Sequence, residues 1–213
     1  MTSIEITGLL FDCDGVLVDS LEAAAVAWDR WSVSYAPTFD FRRDIVHGMR
    51  MSDTVASLVA PELRAEAEAA LIQAELDTVD GTVAIPGARE LLLSLPAGSW
   101  AVVTSGVRDL AYARLAAAGL PTPTAIVTAD DVENGKPHPE PYLRGAALIG
   151  IDPANCVVFE DAPAGLRAGR DAGVGTLVGV GEGARNAGAH HIIADLRAAS
   201  YANGTLTLTL ATI

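Results

Sequence analysis

Asp12-Cys13-Asp14-Gly15 follows the apolar run Gly8-Leu9-Leu10-Phe11 and leads into Val16-Leu17-Val18-Asp19-Ser20. Residues two apart on an extended chain share a face, so Asp12 and Asp14 can enter one pocket at a strand end, with Gly15 free to turn the chain away. Carboxylates that close repel each other unless a cation or a proton lies between them. The segment is therefore a candidate for metal-assisted chemistry, provided other parts of the chain supply what the pair lacks.

Three further segments are of the right kind. Val102-Val103-Thr104-Ser105-Gly106 sets two hydroxyls where a strand passes into a helix. They can cap that helix or, together with free N–H groups at its start, hold a phosphate. Gly135-Lys136-Pro137-His138-Pro139-Glu140-Pro141-Tyr142 places the chain's only lysine among three alternating prolines. That pattern predicts an extended, stiff mount. A fixed ammonium suits a phosphate oxygen or an acidic pair, the plainer alternative being a surface lysine in a turn. Val157-Val158-Phe159-Glu160-Asp161-Ala162-Pro163-Ala164-Gly165 ends another strand with adjacent acids, of which Asp161 could equally cap the next helix. If the four strand ends converge, carboxylates, water and a phosphate oxygen make a hard octahedral site suited to Mg²⁺.

Convergence depends on the elements. Apolar runs bounded by Gly, Pro or Asp predict buried strands at Thr7–Phe11, Trp100–Thr104, Ala125–Thr128, Cys156–Glu160 and Gly175–Val180. Helical patterns at Gly87–Leu95, Val107–Ala118, Pro139–Ile149 and Ala164–Ala172 separate most of them, and residues 192–194 and 206–212 could add edge strands. The alternation predicts an α/β fold with a doubly wound, Rossmann-like parallel sheet covered on both faces. Between about Ser20 and Ile85 it gives way to helices alone, at Leu21–Trp31, near Phe41–Val46, at Met51–Val59 and at Pro61–Leu76. An all-helical insertion after the first strand would stand over the edge of the sheet where open α/β folds bind ligands. The expected division is a core of residues 1–18 and 86–213 and a helical cap of residues 19–85.

Composition sets limits on partners. With 27 acidic and 14 basic residues in 213, the net charge of −13 repels nucleic acid and anionic membrane surfaces. An anionic substrate would need local positive charge. The two cysteines, Cys13 and Cys156, sit in apolar runs and read as buried reduced thiols, a disulfide between them being the alternative. No stretch has the length of a signal peptide's apolar region or of a membrane span, which predicts a cytoplasmic protein. No exposed apolar repeat stands out, and a monomer is expected.

In order and spacing, the four segments resemble those of the haloacid dehalogenase superfamily of phosphotransferases, and the resemblance spans nearly the whole chain. The helical insertion looks like that family's small cap. Trp100–Gly106, Thr128–Leu143 and Val157–Gly165 are similar to the glycerol-3-phosphatase and 2-deoxyglucose-6-phosphatase branch, as is His47-Gly48-Met49-Arg50 in the cap. The resemblance implies a Mg²⁺-dependent phosphatase acting on a small phosphorylated polyol or sugar. It makes Asp12 the nucleophile that forms an aspartyl-phosphate and Asp14 the proton carrier. Thr104, Ser105 and Gly106 would hold the phosphoryl group while Lys136 neutralises charge. Asp12, the Asp14 carbonyl, Asp161 and Glu160 would form the metal site, with Arg50 and His47 reaching the substrate from the cap.

The residues also bear on the alternatives. A β-phosphoglucomutase-type mutase needs the same core chemistry, but its family carries a cap lysine for the second phosphate, and this cap has none. A catalytically idle binding protein would not need Asp12, Asp14, Lys136 and Asp161 all intact. Cofactor-free dehalogenation leaves Asp14 and the metal acids without a purpose. Trp28 and Trp31, three apart on one helix, are expected in the cap's own core, and Asp130 and Asp131 in shaping the loop before Lys136.

Overall fold

The computed structural model describes residues 1–5 and 7–210. β1 (Thr2–Glu5) opens the chain, and β2 (Gly8–Phe11) carries the first apolar run up to Asp12. After the short β3 (Val18–Asp19) come four helices: α1 (Leu21–Tyr35), α2 (Phe41–Asp44), α3 (Met51–Leu58) and α4 (Arg64–Asp77). β4 (Val83–Ala84) then pairs antiparallel with β3, so the chain leaves for the helical layer and returns from it side by side. From there helix and strand alternate through α5 (Ala88–Ser94), β5 (Trp100–Val103), α6 (Arg108–Ala117), β6 (Ile126–Val127), α7 (Glu140–Leu148), β7 (Cys156–Glu160), α8 (Pro163–Asp171) and β8 (Thr176–Val180). β9 (His191–Ile193), β10 (Ala199–Ala202) and β11 (Thr205–Leu208) complete the described chain.

The main sheet has the order β6-β5-β2-β7-β8-β9, with all neighbours parallel. Period-two alternation within uniformly apolar strands feeds two cores at once. Leu9, Phe11, Val102 and Phe159 pack on one face with α5 and α6, while Leu10, Val103 and Val158 pack on the other with α7 and α8. β2 lies at the centre, flanked by β5 and β7. The chain winds outward to one side of β2 and then to the other, so the strand ends beside β2 open on the crevice where such sheets bind ligands.

The helical layer, hereafter the cap, has a core of its own. Trp28, Trp31, Phe41, Val55 and Leu71 are buried together, and Trp31 Nε1 donates to the Ala67 carbonyl at 2.7 Å. The paired tryptophans therefore lie where their spacing placed them, with α1 running on to Tyr35. Among the described residues no helix is long and apolar enough to cross a membrane.

Two expectations about strands need correction. Residues 206–212 do not edge the main sheet. β11 instead forms a separate antiparallel sheet with β1 and β10, turning through Asn203-Gly204, whose φ values of 50° and 80° fit a two-residue hairpin. Residues 211 and 212 of that expectation lie outside the described residues. The Lys136 segment is not extended either. It folds into a turn closed by His138 N–H on the Gly135 carbonyl at 3.0 Å, with the Lys136–Pro137 peptide cis. The expected edge strand at 192–194 is present as β9.

Candidate active site

At the C-terminal end of β2 the backbone reverses within a few residues. Gly15, at φ +82°, takes a conformation that other residues rarely adopt, and a Cβ there would collide with the Asp161 carboxylate. This turn sends both Asp12 and Asp14 into one cavity of about 370 Å³ between the sheet and the cap. Thr104, Ser105, Gly106 and Asp161 line the same cavity from the core, and Trp28, Phe41, His47, Met49 and Glu75 line it from the cap.

Lys136 is wholly buried beneath the cavity floor. Its Nζ donates to Asp12 Oδ1 at 2.7 Å, to Glu160 Oε1 at 2.6 Å and to the Val103 carbonyl at 2.9 Å, using all three of its protons. Burial disfavours the ammonium, but Asp12 and Glu160 outweigh it and hold the lysine charged above its ordinary range. The turn that carries it is itself fixed: the Glu140 carboxylate accepts the N–H groups of Asn134 and Glu133, which depress its pKa to about 2. A charge pinned this way can neutralise a substrate without reorganising.

Glu160 stands behind this lysine rather than in the cavity. Its Oε1 also accepts from the Tyr142 hydroxyl at 2.7 Å, and a side chain on Gly165 would collide with it. Glu160, Asp12 and Asp161 each offer an oxygen within 4.8 Å of the other two. This crowding leaves excess negative charge. Burial and then Glu160 raise the pKa of Asp12 to about 7 despite Lys136, and burial with Glu160 and Asp12 raises that of Asp161. Crowded carboxylates short of positive charge, two of which, Asp12 and Asp161, face the cavity, match what a small divalent cation requires.

Asp14 is held separately. Ser20 Oγ donates to its Oδ1 at 2.6 Å, and Arg114 Nη1 lies 3.0 Å from the same oxygen. Arg114 from α6 and Glu75 from α4 do not stand out in the sequence. The available signal is a charge on the buried stripe of each helix.

Thr104 Oγ1 accepts the Gly106 N–H at 3.0 Å, so this hydroxyl supports the turn into α6 while facing the cavity. Ser105 Oγ donates to the Gly48 carbonyl of the cap at 2.7 Å. His47 lines the cavity beside Phe41. Arg50 requires a correction: its guanidinium is turned away from the cavity, bonded to Asp53 at 2.9 and 3.0 Å and to the Glu133 carbonyl at 3.0 Å. The acid three residues on lies within easier reach than the substrate space. Asp130 and Asp131 brace the start of α6 through Arg108 and Thr128, away from the acidic cluster.

Comparison with known proteins agrees with this arrangement. The family model of haloacid dehalogenase-like hydrolases matches residues 6–173. Hexitol phosphatase A of Escherichia coli is 42% identical over 171 residues, covering 78% of this chain and 79% of that protein. Glycerol-1-phosphate phosphohydrolase 2 of Saccharomyces cerevisiae is 39% identical over 185 residues, covering 80% and 73%. The crystal structure of a hydrolase from Pseudomonas syringae superimposes with a TM-score of 0.79 at 31% identity, over 89% of this chain and 94% of that one. With its motifs at the strand ends and a helical cap above them, the chain belongs to the haloacid dehalogenase-like hydrolase family, on the branch of the hexitol and glycerol phosphatases.

Proposed function

We propose that the chain is a Mg²⁺-dependent phosphatase of small polyol or sugar monophosphates, working through an aspartyl-phosphate on Asp12. The observation that carries this reading is the grouping of Asp12, Thr104, Lys136 and Asp161 at adjacent strand ends under one capped cavity. Asp12 attacks phosphorus, and Lys136 spreads the charge that collects on the equatorial oxygens. Thr104 and the backbone at Ser105 orient those oxygens. Asp14 gives a proton to the departing alkoxide and takes one from the water that next attacks the acyl-phosphate. Asp12, Asp161 and the Asp14 carbonyl would hold Mg²⁺, with Glu160 supporting the site through Lys136. When bound, the ion supplies positive charge against the repulsion between Asp12 and the substrate. The cap, residues 19–85, would hinge at β3 and β4 and exclude water during the first step.

The cavity favours a leaving group without a second anion. Among the described residues Arg114 is the one arginine lining it and no lysine does; that guanidinium is already shared between Glu75 and Asp14. A mutase substrate would bring a second phosphate into this space. The test is phosphate release from a panel of polyol, sugar and bisphosphate esters, with and without Mg²⁺. Hydroxylated monophosphates should turn over only with Mg²⁺, at kcat/KM at least about tenfold above any bisphosphate, a margin at the low end of what leaving a charged group unpaired costs. Isomerisation of glucose 1-phosphate without release of phosphate would overturn the reading in favour of a mutase.

Metal binding should also show in stability. The raised pKa of Asp12 means that the metal-free folded chain takes up a proton that the unfolded chain binds only near pH 4, so its stability falls as pH rises from there to about 7. Mg²⁺ competes with that proton. At a hundredfold excess over its dissociation constant it should add roughly 2.7 kcal/mol, or about 5–10 °C in Tm, near pH 8, and clearly less near pH 5.5. Thermal scans at both pH values check this, and a shift of equal size at each would count against Asp12 as a ligand.

A further inference from the structure

Helices α4 and α6 each carry one charge on a face that otherwise packs. The buried positions of α4 are Ala67, Leu71 and Glu75, spaced by four; those of α6 are Leu110, Ala111, Arg114 and Leu115. Charges in such places persist only when they are paired. Here they pair with each other across the boundary between cap and core. Arg114 Nη2 donates to Glu75 Oε2 at 2.5 Å, and the other oxygen of Glu75 accepts Trp28 Nε1 at 2.7 Å. The second arm of the same guanidinium, Nη1, lies 3.0 Å from Asp14 Oδ1. The side chains of Arg114 and Glu75 are 9% and 4% exposed, whereas that of Asp14 is 32% exposed and faces the cavity.

We propose that Arg114 is a positioning residue that makes the orientation of Asp14 depend on a seated cap. The guanidinium is a rigid planar fork, so fixing one arm on Glu75 aims the other at Asp14. Trp28 in turn fixes Glu75, which gives the cap two helices, α1 and α4, behind the contact. Arg114 also stands between two acids that would otherwise repel across the cleft, since the nearby Asp14 makes Glu75 harder to ionise and Arg114 opposes that. If α4 moves away, the guanidinium loses its anchor and Asp14 is left with Ser20 alone. This inference rests on Asp14 being the proton carrier.

The test compares two substrates that differ in their need for a proton. An alkoxide must be protonated as it leaves, whereas p-nitrophenolate departs without help. In the full chain with Mg²⁺, kcat/KM of Arg114→Gln should fall about 10–100-fold more on the best alkyl phosphate of the panel than on p-nitrophenyl phosphate, as expected when acid catalysis is impaired. Glu75→Gln keeps the bond from Trp28 but presents a neutral group to Arg114, and Arg114→Lys keeps the charge without the fork. Both should show the same split at smaller size. Should Arg114→Gln fail to fold, these two variants decide. Equal losses on the two substrates would reduce the pair to a structural contact and overturn the inference alone. A wild-type chain that hydrolyses no monoester overturns the proposed function, and this inference with it.

Discussion

Replacing Asp12 by asparagine is expected to lower kcat by at least about 10⁴-fold and to leave the chain folded, because removing the nucleophile of a covalent mechanism removes the step itself. The amide is nearly isosteric, and its carbonyl can still accept from Lys136 Nζ, 2.7 Å from the native oxygen. It cannot accumulate the charge needed to displace an alkoxide from phosphorus. Stability should move the other way. Asp12 is buried among Glu160, Asp14 and Asp161, and its pKa of about 7 shows that the folded chain resists its charge even with Lys136 present. Deleting that charge relieves repulsion, so Tm without Mg²⁺ near neutral pH should equal or exceed that of the wild type. The Mg²⁺-induced rise in Tm should shrink at the same time, since one hard ligand becomes a neutral amide oxygen. Phosphate release and thermal scans on one preparation measure all three effects. Turnover at a tenth of the wild-type rate would rule Asp12 out as the nucleophile.

The parts of this site that can be read from the sequence are those fixed by short segments. A short β-branched and aromatic run such as Val157–Phe159 reads as a buried strand, and in a doubly wound sheet the residues just after a buried strand must lie at its end. Asp12, Thr104 and Asp161 are legible for that reason. Lys136 is legible because it is alone among prolines, although its mount is a turn and not an extended arm. Contacts between helices remote in sequence are not legible. Glu75 and Arg114 are 39 residues apart, and each looks like an ordinary surface charge until α4 is laid on α6. Arg50 misleads for the opposite reason: a local partner, Asp53, lies three residues away and takes its guanidinium before the substrate space can. The N-terminal strand is also invisible, because Thr2–Glu5 is a strand only through pairing with Thr205–Leu208 at the far end of the chain. Non-local pairing of this sort leaves no periodic signal in the segment itself.

Lys136→Met should be the most destabilising single substitution at the site, with a second signature in pH. The ammonium lies between Asp12 and Glu160, whose side chains are 7% and 0% exposed, so solvent screens neither partner. Methionine fills a similar volume but leaves two buried carboxylates facing one another without the charge between them. Breaking a buried pair from one side costs about 3–5 kcal/mol. A domain of this size would lose about 6–20 °C in Tm for that amount. The Tyr142 hydroxyl still donates to Glu160 at 2.7 Å, which places the loss nearer the lower end of that range. The sign of the pH effect comes from Asp12. Without Lys136, which lowers it, the folded-state pKa of Asp12 rises further above the unfolded one, so the folded chain holds a proton that the unfolded chain releases above about pH 4. Stability of the variant should therefore fall more steeply than that of the wild type as pH rises from about 5 to about 8. Added Mg²⁺ should restore part of it by replacing the missing positive charge. Activity should stay low in the ion's presence, because the ion does not replace the buried ammonium bonded to Asp12 and Glu160. Chemical denaturation at two pH values, with and without Mg²⁺, resolves these effects. A variant as stable as the wild type near pH 8 would show that Lys136 does not hold the acidic pair together.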